Sequence, residues 1–309
     1  MMTDSQLKCA VVFFAFNRPD KLQGTIESYL CCKNRKLDDV FVFIDGPRNN
    51  SDVDKVNQCA QIASVKLPYA QIIMRETNFG LKKSIYGGIS QILSEYDAII
   101  VIEDDLRLSP DFYDYMIASL EEYKNSENVM QISGYNYLGN ELLDRYKSAF
   151  FLPITTSWGW GTWSRAWQSF SINNEILLQD LDKKKFNFFS SFSFFTMLEK
   201  ELTGQVSSWA IRWYHHVFQS GGLVLYPPAT LVDNEGFDST GTHSAAKSNV
   251  LYKKVIFEDL GIVNFPQSIE INRVQQRKLV GFFKKKRLSI ISKHVVNLIA
   301  RALNRVRNN

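Results

Sequence analysis

Ile99-Ile100-Val101-Ile102-Glu103-Asp104-Asp105 is the stretch on which the fold turns: four branched apolar residues run directly into three carboxylates. A continuous rather than alternating apolar run implies burial on both faces, as in a sheet covered by helices. The carboxylates then stand at the exit of a central strand, where ligands of such folds bind. Like charges this close call for a cation. A hard divalent ion held through one or two carboxylates supplies it and keeps positions open for phosphate oxygens. The other reading is a solvated acidic turn at the start of the helix from Pro110.

Upstream, the same unit repeats. Val11 to Phe16 is an apolar strand, Asn17-Arg18-Pro19 offers an N-cap and an early proline, and Leu22, Ile26, Tyr29 and Leu30 keep helical spacing. Val40 to Ile44 is a second buried strand, stopped by Asp45-Gly46-Pro47. Further alternation predicts helices over 51–65 and 81–93 and strands over 71–75 and 98–102. Downstream, a helix from Ser109-Pro110 is followed by a strand over 129–132. This is an α/β chain with a mostly parallel sheet flanked by helices. The strand-exit rule marks Asn17-Arg18, Asp45, the segment after Arg75 and the acidic triplet. Beyond residue 135 the alternation fades into Trp, Gly and Phe. We therefore divide the chain into a donor half at 8–135, an acceptor half with a lid at 136–265, and a C-terminal extension at 270–309.

The composition is that of a globular protein, with 45% hydrophobic and 22% charged residues. The four cysteines, Cys9, Cys31, Cys32 and Cys59, lack metal-ligand spacing and read as reduced, mostly buried thiols. No signal peptide is recognisable, and no apolar run approaches the roughly 20 residues of a membrane span. A cytoplasmic setting is expected. The net charge of +4 hides an asymmetry, because no acid follows Glu270 while eleven Lys or Arg do. An acidic body with a basic arm does not suit a nucleic-acid enzyme. Ile291, Val295, Leu298, Ile299, Ala302, Leu303 and Val306 keep helical spacing among Lys293, Arg301 and Arg305. A basic amphipathic helix of this kind suits an anionic membrane surface, giving peripheral association with its inner face, or docks on the body.

The triplet and its surroundings resemble the inverting GT-A glycosyltransferases, in particular the N-acetylglucosaminyltransferase I-like enzymes. The resemblance rests on Val101-Ile102-Glu103-Asp104-Asp105-Leu106 with Ser109-Pro110-Asp111-Phe112, on Ala15-Phe16-Asn17-Arg18, and on Phe43-Ile44-Asp45-Gly46. Trp158-Gly159-Trp160-Gly161 with Trp167 matches the family's Gly-Trp and later Trp spacing. Bacterial enzymes of surface-polysaccharide assembly carry patterns similar to Ser157-Trp158-Gly159-Trp160-Gly161-Thr162-Trp163. The match covers roughly residues 10–245. It implies a nucleotide-sugar donor, UDP-linked, and an Mn2+ or Mg2+ ion at Asp105. Arg18 would approach the donor nucleotide, Asp45 the uracil edge, Asp104 the ribose and Glu103 the transferred sugar. The acceptor would be a glycan or lipid-linked glycan.

In the second half, Trp158, Trp160 and Trp163 among glycines suit either sugar stacking or a Trp-rich core corner. Trp209 and Arg212 join Trp158 and Trp160 as acceptor-side candidates, Arg212 for an anionic sugar or lipid-linked phosphate. Asp233 to His243 resembles a lid over the pyrophosphate, with His243 toward a phosphate oxygen, and otherwise is a surface loop. The family's catalytic base lies in a Trp-Asp-Asp-Trp stretch, whereas Ser208-Trp209-Ala210-Ile211-Arg212-Trp213 has no acid. Asp238 is the first substitute, with Glu235 and then Asp233 behind it. Residues 186–195 hold too many Phe for one helical stripe, so some should be exposed or lie beneath a loop. Two other classes stay open: a sugar-nucleotide pyrophosphorylase, whose usual Gly-rich basic loop after the first strand is missing, and a non-catalytic glycan-binding scaffold.

Overall fold

The computed structural model describes residues 7–35, 39–139, 147–236, 255 and 257–287. The first half alternates regularly: β1 (Cys9–Ala15), α1 (Pro19–Leu30), β2 (Val40–Ile44), α2 (Asn50–Lys66), β3 (Gln71–Met74), α3 (Gly80–Ile92) and β4 (Ala98–Glu103). After it come β5 (Leu106–Leu108), α4 (Phe112–Glu122), β6 (Val129–Ser133), β7 (Phe150–Leu152), β8 (Trp160–Trp163) and α5 (Ser164–Trp167). The chain continues through α6 (Lys183–Phe186), α7 (Phe194–Leu202), α8 (Trp209–Gln219), β9 (Leu223–Tyr226) and β10 (Val232–Asn234). A last helix, α9, runs over 273–287.

Eight strands form one sheet in the order β3-β2-β1-β4-β8-β6-β9-β7. All but β7 and β8 share one direction, so the sheet is mostly parallel, as the apolar runs predict. Alternate residues of the central strands feed two cores. Val12, Phe14, Ile99 and Val101 join α3, α8 and α9 on one face, while Val11, Phe13, Ile100 and Ile102 join α1, α2 and α4 on the other. This is the α/β architecture expected from the sequence, a mostly parallel sheet flanked by helices. β8, which the sequence reading did not find, runs antiparallel between β4 and β6. Gly161 makes that position possible, since a Cβ there would lie 2.9 Å from the Ile99 carbonyl oxygen. The odd spacing of Trp160 and Trp163 sends one ring into each core.

The segment after β9 forms β10, which pairs antiparallel with β5 in a separate two-stranded ribbon. The C-terminal extension starts as a helix docked on the body: Leu279 and Phe283 are 1% and 2% exposed within the core. The membrane-surface stretch 291–306 lies outside the described residues. All four cysteines are free, and Cys31 is exposed. Among the described residues, no helix is long and apolar enough to cross a membrane.

Neighbouring glycines of α3 carry opposite expectations. A Cβ on Gly88 would meet the Phe14 ring at 2.5 Å, where that ring stacks on Phe43, whereas one on Gly87 finds nothing nearer than Arg75 at 3.9 Å. Gly88→Ala should destabilise by about 1–3 kcal/mol through overpacking. Gly87→Ala should stabilise by about 0.5–1 kcal/mol through helix propensity. Denaturant unfolding of the two variants checks both signs.

Candidate active site

The sheet order places β2, β1 and β4 side by side, with the change of winding direction between β1 and β4. Their exits carry Asp45, Asn17-Arg18 and Glu103-Asp104-Asp105, so the topology gathers the first-half candidates on one rim. Arg18 closes the β1/β4 crevice by pairing with Asp104 through Nη2 and with Asp105 through Nη1 at 3.0 Å. Asp104 is buried and also accepts from the Phe16 amide at 3.4 Å. Burial pushes the Glu103 carboxyl up to about 8, helped by Asp105 and Asp104. Burial raises Asp104 to about 6 against the pull of Arg18, with Asp105 adding to the rise. For Arg18, burial disfavours the charge, but the two aspartates outweigh it and hold the guanidinium protonated.

A polar stripe on α1 fixes the turn that bears the acids. Thr25 Oγ1 donates to the Asp104 carbonyl at 2.8 Å and accepts from the Leu106 amide at 3.1 Å, while Ser28 Oγ accepts from the Leu108 amide at 3.1 Å. These hydroxyls satisfy one edge of β5, and β10 pairs with the other. Lys21 Nζ reaches the Glu235 carbonyl at 2.9 Å, and the Glu235 amide donates to the Asp105 carbonyl at 2.8 Å. Gly236 then passes directly over Asp105: a Cβ there would collide with Asp105 Oδ2 and lie 3.1 Å from Asn234 Oδ1. Only a residue without a side chain lets the backbone come this close to the Asp105 carboxylate. Among the described residues no group of three or more His, Cys, Asp or Glu converges as a metal site. Sequence reading missed Lys21, Thr25 and Ser28. Their signal is the i, i+3, i+7, i+10 run from Arg18 along the helix.

Asp45 is buried and accepts from the Phe79 and Gly80 amides, each at 2.9 Å. It thereby caps the start of α3 from another strand. Asn17 is not the cap of α1; its amide donates to Asp52 at 2.5 Å. Arg75, at the exit of β3, lies 4.5 Å from the centroid of the exposed Phe79 ring, and its buried Nε has no hydrogen-bond partner.

The acceptor-side candidates are corrected in part. Trp160 is fully buried and Trp209 is 3% exposed, and their rings stack on each other at 5.2 Å, so neither offers a face to a sugar. Apolar transfer explains this: β8 carries Trp160 into the core and the first turn of α8 brings Trp209 over it. Arg212 is held by buried Glu201 at 2.6 Å and by the Asn174 carbonyl at 3.1 Å, while Lys82 takes the other Glu201 oxygen at 2.7 Å. It braces α7, α8 and α3 rather than presenting itself to an anion. Trp158 alone is half-buried, edge-on to Tyr135 at 4.5 Å. His215 is half-buried and pushed down to about 4 by burial, with His216 and Arg212 adding to it.

Of the segment that the sequence reads as a lid or a surface loop, Asp233 and Asn234 are buried in β10. Glu235 pairs with Arg107 at 3.0 Å, itself hydrogen-bonded to the Gly24 carbonyl. Asp238 and His243 lie outside the described residues.

The sequence profile described as Glycosyl transferase family 2 matches residues 10–202. No curated protein matches the chain. Similar solved structures include GalNAc-T7 with UDP, GalNAc and Mn2+, at 11% identity over 75% of this chain and 44% of that one, TM-score 0.48. Another is the mannosyltransferase PcManGT from Pyrobaculum calidifontis with GDP-Man and Mn2+, at 10% identity over 77% and 59%, TM-score 0.45. S. aureus TarS is similar at 16% identity over 41% of this chain and 21% of that one, TM-score 0.31. The chain thus spans about half the length of the first two.

Arg18 supplies the positive charge between two carboxylates, a place that a divalent ion would also suit. Arg18→Ala should lower stability in chelator by roughly 2 kcal/mol. It should also gain a larger rise in Tm from Mn2+ than the parent protein does, because the ion then neutralises Asp104 and Asp105 alone. Equal rises in calorimetric scans would mean that Arg18 and the ion do not share Asp105.

Proposed function

The chain belongs to glycosyl transferase family 2, and we propose that it moves a sugar from a nucleoside diphosphate, UDP in our reading, to a hydroxyl of a glycan or lipid-linked glycan. The observation that carries this is the junction of Arg18, Asp104 and Asp105 at the switch point of the sheet. A pyrophosphorylase is less well supported, since the β1 exit carries Asn17-Arg18-Pro19 in place of a Gly-rich loop. A non-catalytic scaffold has no use for carboxylates held this way.

The residues fit a divalent ion such as Mn2+ or Mg2+: Asp105 offers carboxylate oxygens to a hard cation, the Asn234 amide oxygen lies close by, and among the described residues the charge paired with Asp105 is the Arg18 guanidinium. Asp105 would hold it, and bound there it would supply Lewis-acid stabilisation of a departing diphosphate. The protein's own residues do the rest. Asp45 and Asp104 face the nucleoside, and Glu103 faces the sugar. Arg18, released from Asp105, approaches the phosphates. The acceptor oxygen attacks the anomeric carbon as the bond to the phosphate oxygen breaks, and its proton passes to a carboxylate. Asp238 is our first choice for that base. Glu235 is the second, and its pairing with Arg107 suits a role in holding the turn at Asp105. His243 would donate to a phosphate oxygen, and the half-buried Trp158 would meet the acceptor. A role in surface-polysaccharide synthesis at the inner face of a membrane, with the basic tail beyond residue 287 on anionic lipid, completes the proposal.

Calorimetric titration with UDP tests it. Binding should require Mn2+ or Mg2+, and Asp105→Ala should weaken it at least tenfold with little change in Tm. UDP affinity that ignores both the ion and the substitution would refute the assignment.

A further inference from the structure

Residues 183–195 and α9 lie far apart in sequence, yet the fold joins them. Phe283 of α9 packs against Phe188 at 6.2 Å and Phe192 at 5.2 Å between ring centroids, and Arg287 donates to the Ser190 carbonyl at 3.3 Å. The Ser190 amide in turn donates to the Lys184 carbonyl at 3.2 Å. Two basic runs therefore meet: Lys183-Lys184-Lys185 of α6, all exposed, and the Lys284 to Arg287 end of α9. Arg277, Lys278, Lys284 and Lys285 repeat at helical spacing on the side of α9 opposite buried Gln276, Leu279 and Phe283, and α9 contains no acid. The acid that faces the patch is Asp182, which caps α6 and pairs with Lys185 at 3.4 Å.

Between the two runs the backbone does something uncommon. Phe188, Phe189 and Ser190 all have positive φ, 45°, 58° and 59°, although none is glycine. Each such residue costs roughly 1–2 kcal/mol, so three in succession need a compensating cause. Ser191 supplies the local hold, its hydroxyl donating to the Phe188 carbonyl at 2.5 Å and its amide to the Asn187 carbonyl at 3.0 Å. The turn buries Phe188 to 1% and leaves Phe189 38% exposed among the lysines. An apolar ring held out amid cations on both sides matches the layering of a lipid interface, with phosphates above and acyl chains below. A polyanion would engage the cations and leave the ring without use.

We infer that this face, formed by α6, the left-handed turn at 188–190 and the exposed side of α9, docks on an anionic lipid bilayer with Phe189 inserted. It extends the membrane setting proposed above, but its contacts come from the body and need nothing beyond residue 287. Ring contacts of 4.5–6.2 Å run from Trp158 through Tyr135, Tyr137 and Phe283 to Phe188, so the face is continuous with the aromatic wall next to β8. A lipid-linked acceptor would thus be met on the side where the protein rests.

The test uses the full chain with vesicles of equimolar phosphatidylglycerol and phosphatidylcholine, against phosphatidylcholine alone. Lys184→Gln with Lys285→Gln should lower the partition coefficient at least tenfold, at roughly fivefold for each charge lost. Phe189→Ser should lower it severalfold, and both variants should keep the parent's Mn2+-dependent UDP affinity, which verifies folding. Phe189→Trp adds an independent reading: its added emission should shift to the blue and be quenched by brominated phosphatidylglycerol. Unchanged partition in both surface variants, or an added Trp that lipid does not quench, overturns the docking face. In that case vesicle binding that persists belongs to the tail, and UDP binding still judges the transferase reading separately.

Discussion

Charge at the junction of β1 and β4 is the constraint from which the rest of the first half of the chain follows. A strand buried on both faces delivers three consecutive acids into a place where ionisation is already opposed by burial, as the raised Glu103 and Asp104 indicate. Such a site persists only if positive charge is built in or brought in. Arg18 does the first, and it stands at the exit of the neighbouring strand because parallel strands release their carboxyl ends on the same rim. The same logic explains the company around it. β5 would be an unsatisfied edge next to the acids, and α1 closes it with Thr25 and Ser28 while β10 closes the other side. The turn bearing Asp105 is thus tied on both flanks, and Gly236 packs directly against its carboxylate.

Much of this half was legible in the sequence because each element announced itself locally. Continuous runs such as Val40 to Ile44 cannot be half-exposed, and Leu22, Ile26 and Tyr29 fix the buried side of α1. Asp45, Arg18 and Asp105 were legible as strand exits, a consequence of topology. What could not be read were elements whose reason is elsewhere in the chain. β5 and β10 are three residues each and exist only because they meet. β8 is a strand because Gly161 lets its backbone lie against β4, which no local propensity conveys. The aromatic positions failed for the same cause: a Trp among glycines looks alike whether its ring meets a sugar or another Trp. Only the stack of Trp160 on Trp209 decides it. Arg212 reads as an available cation until buried Glu201, contributed by a different helix, is seen to hold it.

The second half uses aromatic packing where the first uses a regular sheet. Trp167, Phe170 and Trp213 enclose one corner, with ring centroids 4.8–5.3 Å apart. Phe186, Phe194 and Tyr214 fill another. Large rings bury much area per residue, so a region of short helices can be held without long regular elements. α9 belongs to that arrangement, since Leu279 and Phe283 complete the core on its outer side. Its docking turns the charge asymmetry of the chain into a property of a surface. Most of the apolar side of the helix lies on the body, and what remains outward is largely cationic, with Val274 exposed at its start and Phe189 next to its end. A helix lying in a membrane would need its apolar side for lipid, whereas a docked helix offers mainly charge. That is why one exposed ring from a strained neighbouring turn matters: it restores to this face the apolar contact that α9 has already committed to the core.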